Sequence, residues 1–231
     1  MSRSFFITGT DTGVGKTFVT AGLARVARDN GDTVGVMKPV ETGCAEVDGV
    51  LMPGDAVAIK EASLCATPLD TINPYRFALP LAPYLAARAA GTEIDPELIK
   101  AMYGEIAASH DFVLVEGAGG LLVPITHELV MADLVTLLNL PLLIVAASRL
   151  GAINHAALTA ECAAKRGIEV AGIILNNTTA PETPEKGLNR AEIERVTGIA
   201  VLSEIPFSGG LKKDAPFREG GVFEKLYRSI F

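Results

Sequence analysis

The stretch Gly9-Thr10-Asp11-Thr12-Gly13-Val14-Gly15-Lys16-Thr17 constrains this chain more than any other part of it. It follows a strand-length apolar run at residues 4–8. It precedes a segment of helical spacing at 18–28 that ends on the stop signal Asn30-Gly31. Glycines let backbone N–H groups turn inward around phosphate oxygens, and a helix starting directly afterwards favours the anion. In such a loop a lysine reaches the β- and γ-phosphates of a nucleotide, and the hydroxyl after it binds Mg²⁺. Lys16 and Thr17 hold those places, with Gly13, Val14 and Gly15 as the backbone cradle. The strict spacing wants a glycine at position 10; Thr10 stands there and the glycine is one residue earlier, at Gly9. The loop is therefore a variant whose early glycine has moved.

Short apolar runs at 33–37, 112–115, 142–146, 170–175 and 201–205 alternate with helical patterns at 81–90, 96–109, 131–138, 153–166 and 188–196. The near-continuous runs FVLV, LLIVA and VAGIIL suit parallel strands covered on both faces. Strand alternating with helix means βαβ units with right-handed crossovers. The expectation is a single α/β domain over residues 1–231: three layers, with a mostly parallel central sheet flanked by helices. Residues 44–53 and 178–186 are polar or rich in glycine and proline, and read as surface loops.

An acidic partner for the metal belongs at the end of a buried strand. The run 112–115 leads straight into Glu116-Gly117-Ala118-Gly119-Gly120, so Glu116 sits at the carboxyl end of a strand, where open α/β sheets place ligands. Lys38, in Lys38-Pro39-Val40-Glu41-Thr42-Gly43, ends the second strand and offers a second cation for a transferring phosphoryl group. Asp55 falls at a helix start, where capping is the plain reading; motif logic leaves Asp55 and Asp48 equally open.

Composition narrows the partners. Twenty basic against 27 acidic residues leave a net charge of −7, which excludes a surface that coats nucleic acid. The most apolar stretch, 129–147, is broken by Asp133, Asn139 and Pro141, so no membrane span is expected. Cys44, Cys65 and Cys162 are an odd, widely spaced set without a C-x-x-C, which points to a reducing cytosol rather than a disulfide framework. His110, His127 and His155 lack metal-ligand spacing. Phe223, Leu226, Tyr227, Ile230 and Phe231 form an amphipathic stripe; core packing is the default, and a membrane-surface helix the alternative.

Taken together, TGTDTGVGKT (8–17), KPVETG (38–43), NPYRF (73–77), VEGAGG (115–120), RLGAINHAALTAE (149–161), GIILNN (172–177) and EIPF (204–207) resemble the dethiobiotin synthetase family of the P-loop NTPase superfamily. The resemblance implies an ATP- and Mg²⁺-dependent cyclo-ligase of biotin biosynthesis. Its substrates would be 7,8-diaminopelargonic acid and CO₂, and its intermediates a carbamate and a carbamic-phosphoric anhydride. It implies that Lys16, Lys38 and Thr12 are catalytic, and that Thr17, Asp55 and Glu116 hold the metal, which selects Asp55 over Asp48. It implies that Thr42, Leu150, Gly151 and Asn154 bind substrate. Nucleotide contacts would come from Gly13 to Thr17, Glu116, Gly117, Ala118, Gly119, Asn176, Asn177, Ile205, Pro206 and Phe207. It further implies a cytoplasmic homodimer in which the loop around Leu150 serves the partner's site. Some relatives carry an acid where this chain has Gly13, so no catalytic role rests on that side chain. The competing reading is a partitioning or positioning ATPase switch of the same fold. Such switches usually carry an extra lysine early in the loop, where this chain has Thr10-Asp11-Thr12. A cobyrinic-acid-type amidation ATPase would need a glutaminase domain, for which 231 residues leave no room.

Overall fold

A computed structural model describes residues 3–179, 184–207 and 221–230. Its frame is a six-stranded parallel sheet made of β1 (Arg3–Gly9), β2 (Val34–Met37), β7 (Phe112–Glu116), β8 (Leu142–Ala147), β9 (Val170–Asn176) and β10 (Val201–Ile205). The strand order is β10-β9-β8-β1-β7-β2. Period-two alternation divides the strand side chains between two cores. Phe6, Val113, Val115, Leu142, Ile144 and Ala146 point to one face. Phe5, Ile7, Phe112, Leu114, Leu143 and Val145 point to the other. Helices α4 (Pro83–Ala89), α5 (Pro96–Ala108), α6 (Met131–Leu138), α7 (Ala152–Lys165) and α8 (Pro184–Thr197) contribute to the first core; α1 (Lys16–Asp29) and α2 (Gly54–Ser63) contribute to the second. Both faces are closed, which is why these strands read as unbroken apolar runs.

Register sets the site. Ile7 pairs with Glu116 across β1 and β7, and Met37 pairs with Val115 across β2 and β7. The residues that follow β1 and β2, the glycine loop and Lys38, therefore emerge on either side of Glu116. β1 is flanked by β7 and β8, strands from later in the chain, so its carboxyl end opens the crevice where such sheets take ligands.

Two expected loops are corrected, and one small strand pair was not foreseen. Residues 44–53 are not plain loop: β4 (Ala45–Val47) and β5 (Val50–Met52) form an antiparallel hairpin. Its turn, Asp48-Gly49, has φ of 52° and 77°, the two left-handed conformations that a tight hairpin requires. Its strands are largely exposed and carry no burial pattern, so only the Asp-Gly pair marked it. β3 (Val40–Thr42) and β6 (Tyr75–Phe77) form a small parallel pair beside the main sheet, with α2 and α3 (Leu69–Ile72) between them in the chain. The loop expected at 178–186 gives way to α8 at Pro184; residues 180–183 lie outside the described set.

The tail is core. In α9 (Val222–Ser229), Phe223 and Leu226 are fully buried. Phe223 lies edge-on to Phe18 of α1 at 5.5 Å. It fills the space above Gly22, where an added Cβ would lie 2.3 Å from its ring. The Tyr227 hydroxyl donates to Asp32 at 2.6 Å, and the Asn30 amide donates to Glu224 at 3.0 Å. The apolar stripe is thus covered by α1 and is not a membrane-facing surface; Phe231 lies outside the described residues. No helix among the described residues is long and apolar enough to cross a membrane.

Candidate nucleotide and metal site at the carboxyl edge of the sheet

The moved glycine has a steric cause. A Cβ at Gly9 would lie 2.7 Å from the Asp11 carbonyl, 2.8 Å from Lys16 Nζ and 2.9 Å from Val14 Cγ2. The loop closes tightly over its own first residue, and only a glycine fits beneath it. Gly15 takes φ of 92°, which glycine alone adopts freely, and a Cβ there would also strike the Asn176 amide. That amide donates to the Val14 carbonyl at 2.9 Å, tying the loop to the end of β9. Gly120 comes close to the Gly9 carbonyl, and Gly117 packs against the Phe6 ring, so the turn after β7 lies against the glycine loop.

Helix α1 begins at Lys16 itself. The Lys16 ammonium donates to the Asp11 carbonyl at 3.1 Å. Burial, and then the charge of Lys38, lower its pKa to about 8, partly opposed by Glu116 and Asp55. A cation so weakly matched in the free protein is ready for an anion.

Lys38 is the centre of the cluster. Its side chain is almost fully buried, with Nζ 2.5 Å from Glu116 Oε1 and 2.8 Å from Asp55 Oδ2. Burial works against its charge, but the Glu116 and Asp55 carboxylates outweigh it and its pKa is raised. Burial likewise favours neutral Asp55, but the charge and hydrogen bond of Lys38, with the Thr17 hydroxyl, hold it below the ordinary carboxylate value. Thr17 Oγ1 also donates to Glu116 Oε1 at 2.9 Å. Glu116 is fully buried, and its Oε2 has no hydrogen-bond partner among the described residues. A buried carboxylate oxygen left bare is costly unless something cationic or protic meets it. The Thr17 hydroxyl and the Asp55 and Glu116 carboxylates are an all-oxygen donor set, which suits Mg²⁺. Among the described residues no three His, Cys, Asp or Glu side chains are placed so that they alone could hold a metal ion. A cation here would complete its shell with phosphate oxygens and water, as Mg²⁺ commonly does.

The cluster opens into a cavity of about 560 Å³ bordered by Thr12, Lys16, Lys38, Thr42, Asp55 and Glu116, and also by Glu41, Ala118, Gly119, Val123 and residues 80–83. Asp48 is elsewhere, in the exposed hairpin turn, so the structure separates two acids that the motif left equivalent. Asn177 gathers with Ile205 at the ends of β9 and β10: its backbone N–H and its side-chain amide both donate to the Ile205 carbonyl, at 2.9 and 3.0 Å. The buried Asn177 Oδ1 is without a partner among the described residues. Pro206 and Phe207 continue from there in exposed positions. Leu150, Gly151 and Asn154 do not border the cavity; they are exposed, Leu150 to 92%.

Two residues escape the sequence reading. Glu41 is buried, and its two carboxylate oxygens accept the backbone N–H groups of Asp55 and Ala56 at 2.9 and 3.0 Å. Its signal, an acid inside the short apolar β3, is faint. Buried Asn73 donates to the Lys38 carbonyl at 2.7 Å and steadies the end of β2. Its bond joins distant parts of the chain and leaves no local pattern.

Comparison with known proteins gives the family and the fold neighbours of the chain. The family described as "AAA domain" matches residues 3–215. The ATP-dependent dethiobiotin synthetase BioD of Anaeromyxobacter sp. (strain K) is 47% identical over 214 residues, covering 92% of this chain and 94% of that protein. The BioD of Bacillus subtilis (strain 168) is 36% identical over 212 residues, covering 92% and 90%. Among solved structures, the septum site-determining protein MinD of Pyrococcus horikoshii OT3, complexed with Mg-ADP, aligns with a TM-score of 0.60 at 18% identity, covering 100% of this chain and 96% of that one. A ParA family ATPase from Chlorobium tepidum TLS aligns at 0.56 and 17%, covering 99% and 90%. The solved structures share the fold; the far higher identity over nearly full length to the synthetases shows that this chain belongs to the ATP-dependent dethiobiotin synthetase family.

Proposed function

We propose that this chain is an ATP- and Mg²⁺-dependent cyclo-ligase of biotin biosynthesis, making dethiobiotin from 7,8-diaminopelargonic acid and CO₂. The observation that carries the reading is the buried Lys38, set between Asp55 and Glu116 and facing the same cavity as Lys16. One amine of the substrate adds to CO₂ and gives a carbamate. A carbamate oxygen attacks the γ-phosphorus and ADP leaves. The second amine then attacks the carbon of the mixed anhydride, the cyclic urea closes and phosphate departs. Carbamate and γ-phosphate are both anions, so the difficulty is to bring like charges together. Lys16 neutralises the β- and γ-phosphates from the loop. Lys38 bridges γ-phosphate and carbamate from the opposite wall. Thr12 and Thr42 hydrogen-bond the carbamate. Thr17, Asp55 and Glu116 hold Mg²⁺, which supplies Lewis-acid stabilisation of the transferring phosphoryl group; the bare Glu116 Oε2 supports that assignment.

The backbone of Gly13, Val14 and Gly15 wraps the phosphates, with Gly117, Ala118 and Gly119 against them. Asn176, Asn177 and the segment Ile205-Pro206-Phe207 take the adenine, and the open acceptor on Asn177 suits an exocyclic amine. Leu150, Gly151 and Asn154 serve the site of the second subunit in a cytoplasmic homodimer. Their exposure supports this, as do the exposed Leu122 and Leu158 beside the groove next to residues 9–12. The switch reading has the fold in its favour, but the loop lacks the early lysine and α9 is packed on the core.

Purified protein is expected to release phosphate from ATP only when both the diamine and bicarbonate are present, and to form dethiobiotin. Equal hydrolysis without the diamine, stimulated by lipid or DNA, overturns the reading.

A further inference from the structure

We propose that Glu41 is a positioning residue for the metal: by gripping the first turn of α2 it sets Asp55 where Lys38, Thr17 and a divalent cation meet. The proposal rests on the metal assignment given above. The first N–H groups of a helix have no partner within it and need an outside acceptor. The residue preceding α2 is Pro53, which offers no side-chain cap. Glu41 supplies the cap from another strand, one carboxylate oxygen to the Asp55 N–H and the other to the Ala56 N–H. An anion at that end is also favoured by the helix dipole.

The hairpin upstream of α2 gives it little anchorage before the buried Pro53. Residues 45–50, which form most of the hairpin, are exposed. Glu41, by contrast, sits in β3, where it pairs with Arg76, and lies just beyond Lys38 in the chain. One side chain thus couples the strand end that carries Lys38 to the helix start that carries Asp55. The Lys38–Asp55 contact of 2.8 Å depends on both ends being held. Glu41 borders the cavity, but each of its carboxylate oxygens accepts a backbone N–H of α2, and it acts through Asp55.

Mn²⁺ is the probe, with binding read by electron paramagnetic resonance in the presence of ATP and without the diamine. Glu41→Ala is expected to weaken Mn²⁺ binding about tenfold, as loss of the groups that orient metal ligands typically does. Glu41→Gln keeps one acceptor but turns an amide N–H₂ toward the other backbone N–H, and is expected to fall between. ATP binding in EDTA is expected to stay within about twofold of wild type. In an Asp55→Asn background Glu41→Ala is expected to change Mn²⁺ affinity by less than about twofold, because coupled residues are not additive. An equal loss in both backgrounds overturns the proposal, as does wild-type Mn²⁺ affinity in either folded Glu41 variant. If Glu41→Ala does not fold, Glu41→Gln carries the same comparison. A wild-type chain that binds no Mn²⁺ with ATP removes the metal assignment and the proposal with it. The ligase reading is tested separately by product formation with the diamine.

Discussion

Gly9 shows what single residues decide in this protein. Its missing side chain lets the loop fold back until the Asp11 carbonyl, Lys16 Nζ and Val14 lie within 2.9 Å of where a Cβ would stand. Gly9→Ala is expected to weaken ATP binding more than tenfold, on the order of 1.4 kcal/mol or above, while the sheet beneath remains folded. A fluorescent-nucleotide titration checks this, and undiminished affinity would refute the packing argument. The placement of Lys16, Thr17 and Glu116 at the carboxyl edge of the sheet was legible in the sequence because each belongs to a contiguous pattern: strand, loop, helix, or strand and turn. Asp55 was not separable from Asp48 by pattern. What separates them is an ion pair with Lys38, and that contact exists only once α2 is set against β2. Glu41 was invisible for the same reason, since its partners are backbone N–H groups contributed by another element.

At the scale of elements, α9 is the informative case. Its apolar stripe was plain, but amphipathicity states that a face must be covered without stating by what. The covering is α1, whose Gly22 leaves room for Phe223. Tyr227 anchors the helix through Asp32, and its pKa is raised, first by burial and then by that hydrogen bond and the aspartate charge. The folded protein therefore holds the phenol proton more tightly than the unfolded chain. This contribution is complete below the ordinary tyrosine value of about 10 and is lost as pH rises through the raised one. The melting temperature of the wild type is expected to fall more steeply above about pH 10 than that of Tyr227→Phe, which cannot ionise. Parallel curves in a thermal melt series would remove the anchor. The hairpin β4–β5 is the opposite case. Its turn residues, Asp48-Gly49, were a local signal, but its exposed strands gave no periodicity to accompany them.

Among the described residues, the glycine loop, Lys38, Asp55 and Glu116 meet at one cavity on the carboxyl edge of the sheet, and Leu150, Gly151 and Asn154 do not border it. Leu150, 92% exposed, does not border the cavity of its own protomer, and the proposed homodimer would place it at the site of the second copy. Sedimentation velocity at micromolar concentration is expected to show twice the chain mass of 24.2 kDa. A monomer there would contradict the shared site. By itself the sequence determined the parallel α/β plan and the phosphate loop. Both are written in local regularities: apolar runs for strands closed on two faces, helical spacing between them, and a glycine loop joining one to the other. Only the tertiary structure decided which acid faces Lys38, what caps α2, and what lies over the last helix. Those are encounters between segments far apart in the chain. They are set by strand register and by the packing of helices on the sheet, and no stretch of neighbouring residues records them.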